Sequence, residues 1–387
     1  FFGGGAYDFA IQAKLDRFEK LRIFDTHPGL FEEDGIPAAL GGETFYDPEH
    51  AWIGSVLSSF GICYNTDLLA ERGLSPPTSW DDLGDPGYVR GIALADTTKS
   101  SSVTKSFEML VQQKIQNELA LGSSGKERAA VVARGWEASM HLIQRIGANA
   151  RYFTDSSAKI PRDVAQGNAV AGMCIDFYGR TTSETLKRED GSSRLQYIMP
   201  SGGSSISVDP VAVLKGAPHP ELAQAFVEFV LSREGQMLWA AAPGSRPGPR
   251  YRALRRLPIR PDLYEGETLA AMIDGEALPF EQARKFTYDR TLTGHLFSPL
   301  RTIIRVMCID PHDEMKAAWD ALIEAGFPPQ ATARFHDVSA VSYEQAGGLI
   351  KVTLKKSKVD AVRLMNELSS VFRANYREAQ SLAEKGK

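Results

Sequence analysis

Cysteine is scarce in this chain, and what there is does not form a pattern. The 387 residues contain three cysteines, Cys63, Cys174 and Cys308, which are far apart, odd in number and free of any C-x-x-C pair. Neither a disulfide framework nor a thiolate metal site is indicated, and we interpret all three as small buried hydrophobic residues. The sequence also lacks a run of roughly 18 apolar residues, which a membrane-spanning helix requires.

Net positive charge is absent as well. The formal net charge is -4, so no global positive field would hold nucleic acid or an anionic membrane. Residues 246–260 contain six arginines but only one aromatic residue, Tyr251. Single-stranded nucleic acid is usually bound by several aromatic rings on which its bases stack. We interpret this segment as a solvated face, with docking on a membrane subunit or between copies as the alternative, and we expect no nucleic acid partner.

Catalytic motifs are missing too. There is no G-x-S-x-G or H-E-x-x-H, and the seven histidines show no ligand spacing. Residues 122–126 superficially resemble a phosphate-binding loop, but the spacing is too short and Glu127 stands where Ser or Thr is required. We expect a turn between helices there. The chain is therefore expected not to be an enzyme, with hidden carboxylate catalysis as the less favoured alternative.

The remaining composition is that of a globular protein with two domains. Hydrophobic residues make up 43% and charged residues 24%, and the length exceeds what a single core usually reaches. Short apolar runs at 92–95, 169–175 and 208–214 alternate with helical patterns, which predicts an α/β fold. The longest extended run, residues 52–64, is long enough to leave one lobe and enter another.

Apolar residues at helical spacing predict three helices. The first covers residues 220–239, and one set of its residues is expected to form a buried face: Leu222, Ala225, Phe226, Phe229 and Val230. The second contains Met315 and Trp319 and is expected to stop at Gly326. The third carries Leu364 and Phe372 near the C-terminus.

Glycines near the start of the chain are the first candidate for a ligand site. Gly3, Gly4 and Gly5 follow two phenylalanines, which resemble the end of a buried strand. The missing side chains would let backbone N–H groups approach a ligand closely, and a plain tight turn is the alternative. Because this is an abrupt start, we expect that an N-terminal segment, with any export signal, precedes it.

A hydroxyl-rich loop is the second candidate. Residues 96–102 end in Ser100, Ser101 and Ser102 and lie between a predicted strand and a predicted helix. In open α/β sheets the carboxyl ends of strands are where ligands bind. Hydroxyls and amides at a helix N-terminus favour a carboxylate, a phosphate or a sugar oxygen. The alternative is that one serine merely caps the helix.

Two further candidates follow predicted strands. After Ile175, Asp176, Tyr178 and Arg180 offer a stacking surface and a planar donor fork that matches oxyanions. Arg180 could instead form a structural pair with Asp176. The other candidate is the turn at residues 201–205, which contains Ser204 and Ser205 and is a linker, a ligand loop or both.

Taken in order, these segments resemble the extracellular solute-binding proteins of ABC importers, in the branch that binds ferric iron and sugar phosphates. The motifs that carry the resemblance are I-C-Y-N-T-D-L-L at 62–69, P-T-S-W-D-D-L at 77–83, G-I-A-L-A-D at 91–96 and G-A-P-H-P-E-L-A at 216–223. Two departures are the apparent lack of a first strand and helix and the long region after residue 280.

The resemblance implies a two-lobed periplasmic-binding-protein fold of class II type, in which hinge-connected lobes close on a ligand in the cleft between them. Lobe 1 would hold residues 1–58 and 207–265, and lobe 2 residues 62–202 and 270–387, with a third crossing around 261–270. It also implies a monomer in the periplasm or outside the cell that delivers a small-molecule solute to a membrane permease, with no cofactor.

The kind of ligand that the resemblance implies depends on whether two tyrosines are adjacent in the sequence. Ferric-binding relatives use adjacent tyrosines, whereas Tyr178 stands between Phe177 and Gly179. Gly3 to Gly5, Ser100 to Ser102, Tyr178 and Arg180 are neutral or cationic, so we expect an anionic or polyhydroxylated solute, such as a phosphorylated sugar or a related organophosphate. Ferric iron is the alternative, and otherwise no metal is expected.

Overall fold

Three crossings divide the chain into two units. The computed structural model describes residues 1–122 and 127–386. Unit 1 contains Phe1–Phe60 and Ser205–Tyr288, and unit 2 contains Gly61–Ser204 and the chain from Asp289 onward. Among the helices of residues 1–122 and 127–386, none combines the length and the apolar composition of a membrane-spanning segment.

The elements are as follows. The strands are β1 Ala39–Leu40, β2 Glu43–Thr44, β3 Ile53–Asn65, β4 Ile92–Ala95, β5 Ala150–Thr154, β6 Ala171–Ile175, β7 Leu195–Ile198, β8 Ile206–Val211 and β9 Leu257–Pro258. The α-helices are α1 Ala6–Lys14, α2 Ile23–Thr26, α3 Thr66–Glu71, α4 Ser101–Ala120, α5 Arg128–Asn149, α6 Lys159–Ala165, α7 Asp176–Thr185, α8 Pro220–Leu231, α9 Arg233–Ala240, α10 Gly266–Ala271, α11 Pro279–Ala283, α12 Arg290–Thr293, α13 Phe297–Ile304, α14 His312–Glu324, α15 Pro329–Phe335, α16 Tyr343–Gln345, α17 Lys351–Lys356 and α18 Lys358–Lys385. Arg305–Ile309 and Ala346–Ile350 are π-helical turns. Short 3-10 turns lie at Pro28–Phe31, Asp81–Gly84, Pro86–Tyr88, Pro261–Leu263, Gly275–Ala277 and Ser339–Val341.

Strand β3 belongs to both units. All thirteen of its residues are buried, and the boundary between the units falls at Phe60 and Gly61. In unit 1 the strand pairs antiparallel with β8 and β9, and in unit 2 it pairs antiparallel with β7. The prediction that the run at 52–64 leaves one lobe and enters the other is therefore confirmed.

The sheet of unit 2 has the strand order β5-β4-β6-β3-β7. Strand β4 is parallel to both β5 and β6, and every residue of β4 and β6 is buried. Strands covered on both faces are expected to be continuously apolar, which is why the runs at 92–95 and 169–175 stood out. Both predicted strands are confirmed, although the second begins at Ala171.

The C-terminal helices of unit 2 form a layer around aromatic side chains. Helices α14 and α15 pack on α18. The ring of Phe335 lies 5.4 Å from Trp319 and 5.0 Å from Tyr376. Met315, Trp319 and Phe372 are fully buried. The predicted helices around Met315 and Leu364 are confirmed.

The predicted helix over 220–239 is two helices, α8 and α9. Ser232 separates them because its backbone is extended, and its side-chain oxygen accepts a hydrogen bond from the Gly235 amide at 3.0 Å. A serine in this position caps the second helix. The apolar pattern continues through the break, which is why the sequence suggested a single element.

The buried face predicted for this helix is also wrong. Leu222, Phe226 and Phe229 are 70%, 48% and 44% exposed, Ala225 is exposed as well, and Val230 alone of the five is buried. The opposite face of α8 packs on the rest of unit 1 through polar contacts. The Gln224 side chain donates to the Lys20 carbonyl and accepts from the Arg22 amide. Arg22 also pairs with Glu228 at 2.9 Å.

Unit 1 extends further along the chain than the lobe boundaries in the sequence analysis. The third crossing lies at Tyr288 and Asp289 rather than around 261–270. Residues 270–288 stay in unit 1 because several contacts hold them there. The Ile273 amide bonds the Ala240 carbonyl at 3.0 Å, Asp274 pairs with Arg255, and the Tyr288 amide bonds the Gly41 carbonyl at 2.7 Å.

The three cysteines are free and buried, as predicted. The Cys63 thiol lies 3.5 Å from the Gly172 carbonyl oxygen. Burial raises the pKa of Cys174, and the adjacent Cys63 raises it further. The Cys174 thiol therefore stays protonated, and the three buried cysteines behave as small apolar side chains.

Candidate ligand site

The carboxyl ends of three parallel strands meet at one edge of unit 2. Strands β4, β5 and β6 run in the same direction, and the Asp96 amide that follows β4 bonds the Thr154 carbonyl at the end of β5 at 2.8 Å. Helix α4 begins just beyond β4, and α7 begins directly after β6. This edge is where open α/β sheets place their ligands.

Ser100 caps α4. Its side-chain oxygen accepts the Val103 amide at 3.3 Å, and the residue is buried. The capping alternative therefore describes Ser100. Ser101 is exposed and Ser102 half-buried, and neither hydroxyl makes a hydrogen bond within the part of the chain that the structure describes. Because Ser101 and Ser102 open a 20-residue helix, their amides have no partner inside it.

Two arginines of the C-terminal region hold the loop before α4. Arg301 donates from Nε to the Thr97 carbonyl and from Nη2 to the Thr98 carbonyl, both at 2.8 Å. Arg305 contacts the Thr98 hydroxyl at 3.4 Å and the Asp96 carboxylate at 3.7 Å. Neither arginine was found from the sequence, because both lie some two hundred positions further along with no motif around them.

The Asp96 carboxylate accepts hydrogen bonds from its own loop. Its Oδ1 accepts the Thr98 amide at 2.8 Å and the Thr98 hydroxyl at 2.6 Å, and Arg305 approaches its other oxygen. The carboxylate is buried. Its negative charge is therefore compensated within the loop rather than offered to a solute.

Asp176 and Arg180 form the structural pair that the sequence left open. Arg180 Nη2 lies 2.7 Å from Asp176 Oδ2, with the aspartate side chain 0% exposed and the arginine side chain 14%. Positions four apart are neighbours on a helix face. Asp176 Oδ1 also accepts the Phe177 amide at 2.8 Å. This buried carboxylate is thus compensated by Arg180.

Tyr178 is half-buried in the first turn of α7. Its ring lies 4.2 Å from that of Phe177, tilted by 44°. The next residue, Gly179, packs so closely that a Cβ there would lie 2.8 Å from the ring of Tyr197. The glycine therefore lets the start of α7 approach β7.

The glycines of unit 1 form a turn between a bridge and a helix. Phe2 pairs antiparallel with Val211, and the Gly3 amide bonds the Pro210 carbonyl at 2.9 Å. Gly3 and Gly4 have φ of 77° and 101°, a conformation that favours glycine, and Gly5 precedes the nine-residue α1. The phenylalanines are paired as a strand end would be, but Phe2 is 46% exposed and so not buried.

Ser204 and Ser205 stand at the second crossing, one in each unit. Within unit 1, the Ser205 hydroxyl donates to Glu43 Oε1 at 2.5 Å, and both residues are buried. Within unit 2, Ser204 is buried, and the carbonyl of the preceding Gly203 accepts the Trp80 indole N–H at 2.7 Å. The turn is thus a linker, and its contact with a ligand stays a prediction.

Half of the arginines in the basic segment have structural partners. Arg255 pairs with Asp274, Arg256 with Asp209, and Arg260 with Asp262. The other three, Arg246, Arg250 and Arg252, are exposed. The interpretation of this segment as a solvated face fits only these last three arginines.

The segment at 122–126 that superficially resembles a phosphate-binding loop cannot be described in full, because residues 123–126 lie outside the described residues.

Charged groups at the edge of unit 2 do not form a metal site. Lys159 bonds Asp155 after β5 at 2.6 Å, and this contact lowers the pKa of the Asp155 carboxyl. Across residues 1–122 and 127–386, no group of three or more His, Cys, Asp or Glu side chains is arranged to hold a metal ion.

Two α/β units joined by three crossings, with one strand common to both, define the two-lobed fold of periplasmic binding proteins. A putative extracellular solute-binding protein from Bordetella parapertussis has a similar fold, with a TM-score of 0.52, 16% identity and 80% of each chain covered. The sequence makes the assignment more specific. The chain belongs to the bacterial extracellular solute-binding protein family, whose model matches residues 4–255.

Two curated relatives are similar in sequence. The phosphoglycerate transport regulatory protein PgtC of Salmonella typhimurium is 26% identical over 257 residues, which cover 64% of this chain and 55% of that protein. A putrescine/agmatine-binding protein of Pseudomonas aeruginosa is 24% identical over 246 residues, covering 60% and 63%. The chain therefore spans little more than half the length of the curated relatives it matches.

Proposed function

We propose that this solute-binding protein captures a small anionic or polyhydroxylated molecule, such as a phosphorylated sugar or a related organophosphate, and performs no chemistry on it. The observation that carries the proposal is the edge of unit 2. There the first turn of α4 offers the amides and free hydroxyls of Ser101 and Ser102, and α7 begins at the end of the adjacent strand.

The charges at this edge favour an anion over a cation. Helix N-termini carry partial positive charge and unpaired N–H groups. The two buried acids that a cation could use, Asp96 and Asp176, are already bonded to Thr98 and Arg180. A negative oxygen would therefore meet donors, whereas a polyamine or a ferric ion would meet no open carboxylate among these groups. The name of the relative PgtC, which refers to phosphoglycerate, supports the same ligand class.

The proposed mechanism is hinge closure. Three crossings connect the units, and a solute held by both would favour the closed form because it has more contacts there. We further propose that the protein acts as a monomer in the periplasm or outside the cell and delivers its solute to the membrane permease of an ABC importer. No covalent step is needed.

Titration calorimetry with 3-phosphoglycerate tests the proposed site. Replacing both serines, Ser101→Ala with Ser102→Ala, removes two hydroxyl donors, and we expect an affinity loss of about tenfold or more, since a hydrogen bond to a charged group contributes about 1.5–3 kcal/mol. Ser370→Ala removes an exposed helix hydroxyl from α18 and serves as the matched control, with affinity unchanged.

Two results would count against the proposal. The double variant could bind as tightly as the parent protein, or ferric citrate or putrescine could bind while every phosphorylated compound and every polyol fails. The second result would favour an iron or polyamine receptor of the same family.

A further inference from the structure

Exposed apolar side chains recur along a short segment that runs from the π-helical turn at Ala346–Ile350 through α17 into the first turns of α18. Within unit 2, Leu349, Val352, Val359 and Val362 are 59%, 64%, 68% and 57% exposed. They lie within fifteen residues, 349–363, which we call the 349–363 corner. Such residues usually turn toward the protein interior, and here the buried positions of the same segment are taken by others, such as Ile350.

The same corner is strongly basic. It contains five basic residues, Lys351, Lys355, Lys356, Lys358 and Arg363, and one acidic residue, Asp360. This is a local charge of +4 in a chain whose total is -4. Lys355 and Lys358 are exposed and make no ion pair in the described ranges. Lys356 lies 4.0 Å from Asp360, with 73% of its side chain exposed.

We propose that the 349–363 corner docks on an anionic lipid surface. Lysines interleaved with aliphatic side chains on helix ends suit this partner, because the ammonium groups contact phosphate headgroups while the aliphatic groups enter the boundary of the acyl region. The corner thereby supplies the local positive field that the chain as a whole lacks.

Composition favours lipid over a protein partner. Interfaces between proteins are enriched in aromatic residues and arginine and depleted in lysine. The 349–363 corner has no aromatic residue and four lysines against one arginine. Lysine is a flexible, strongly hydrated point charge, which suits mobile headgroups better than one fixed carboxylate.

The association is peripheral. Helix α17 has six residues and α18 has 28. Leu364, Leu368 and Phe372 of α18 are buried, whereas Val359 and Val362 at its start are exposed. A surface helix pair of this kind lies on a membrane, and its binding is reversible and sensitive to salt. For a receptor that serves a membrane transporter, such contact would limit its search to the plane of the membrane.

Vesicle co-sedimentation tests the proposal with the full chain. We expect binding to vesicles of phosphatidylcholine and phosphatidylglycerol at a ratio of about 2 to 1, weak binding to phosphatidylcholine alone, and release when NaCl rises from about 0.1 M to about 0.5 M. Reversing two exposed charges, Lys355→Glu with Lys358→Glu, is expected to lower the partition coefficient at least about tenfold. Val359→Ser with Val362→Ser keeps the charge and is expected to weaken binding to a smaller extent.

The matched control reverses two exposed arginines elsewhere, Arg250→Glu with Arg252→Glu, and is expected to leave binding unchanged. The proposal is overturned if the parent protein prefers neither vesicle composition, or if the control loses binding as fully as the lysine variant. It is equally overturned if light scattering shows a dimer that binds no lipid and that becomes a monomer on changing Val359→Ser with Val362→Ser. Circular dichroism confirms that each variant is folded.

Discussion

Arg301 and Thr97 bond each other in both directions. Arg301 Nε donates to the Thr97 carbonyl at 2.8 Å, and the Thr97 hydroxyl donates to the Arg301 carbonyl at 2.8 Å. The pair joins α13 to the loop that precedes Ser100. Because that loop fixes the first turn of α4, the C-terminal helices support the candidate ligand site, although the family model matches only residues 4–255.

Removing this support should weaken ligand binding. We expect Arg301→Ala to destabilise unit 2 by about 2 kcal/mol, because the carbonyls of Thr97 and Thr98 lose a charged donor. Affinity for 3-phosphoglycerate should fall as the loop loosens. The stability and affinity of Arg301→Lys should lie between those of the parent protein and Arg301→Ala, since an ammonium group cannot span both carbonyls as a guanidinium does.

The measurements are urea unfolding and calorimetric titration of the same preparations. Arg290→Ala changes an exposed arginine of α12 and is expected to alter neither quantity. If Arg301→Ala binds with the parent affinity after allowance for the unfolded fraction, the loop does not depend on α13.

The Arg180 and Asp176 pair predicts a different outcome for two related variants. Arg180→Ala leaves a fully buried carboxylate without its partner, and breaking such a pair costs about 3–5 kcal/mol. Combining Arg180→Gln with Asp176→Asn removes both charges, so the double variant should be less destabilised than Arg180→Ala alone. Urea unfolding measures the order of stability. An equal loss in both variants would show that the pair is not what stabilises the start of α7.

The parts of the fold that the sequence predicted are those with strong local periodicity. The strands at 92–95 and around 171–175 and the helix around Met315 are buried on faces that the apolar spacing defines. The face of α8 was predicted wrongly because its orientation is set by Arg22 and Gln224 contacts across some 200 residues of sequence. Nothing in the local pattern of 220–239 contains that information.

For the candidate site, the sequence predicted contacts within a single loop or helix but not contacts between distant segments. The capping role of Ser100 and the pairing of Arg180 with Asp176 follow from spacing along one helix, and both had been considered. The contact of Arg301 with the Thr97 backbone could not be inferred, because it joins distant segments through carbonyl groups that every residue has. Which candidate residues contact a solute remains a prediction.

Histidine burial gives unit 2 a dependence on pH. Burial lowers the pKa of His336 to about 3, with His141 and Arg145 adding to the effect. An unfolded chain has a histidine pKa of about 6.5, so between these values the unfolded state binds more protons. The free energy of unfolding therefore falls as pH drops below about 6.5.

We expect the melting temperature to decrease between pH 7 and pH 5, and His336→Gln to make this decrease shallower because one proton-linked group is gone. His219→Gln, at an exposed position before α8, should leave the slope as it is. Differential scanning calorimetry at several pH values measures the slope of melting temperature against pH. Identical slopes for His336→Gln and the parent protein would contradict the assignment.

Close packing beside the shared strand gives a fourth prediction. A Cβ on Gly61 would lie 2.1 Å from the Ile198 carbonyl oxygen and 2.8 Å from the Tyr197 hydroxyl. Because backbone atoms cannot move aside cheaply, Gly61→Ala should destabilise unit 2 by about 1–3 kcal/mol or more. Gly29 has no atom within 4 Å of such a position, so Gly29→Ala should be nearly neutral in thermal unfolding. Equal stability of the two variants would show that β7 does not pack on Gly61.

A thermal-shift panel on the parent protein tests the central claim most directly. The panel contains sugar phosphates, 3-phosphoglycerate, polyols, putrescine and ferric citrate, because a ligand that binds only the folded form raises the melting temperature. The account predicts a saturable rise with at least one phosphorylated compound or polyol. A rise with ferric citrate or putrescine alone, or with no member of the panel, would contradict it.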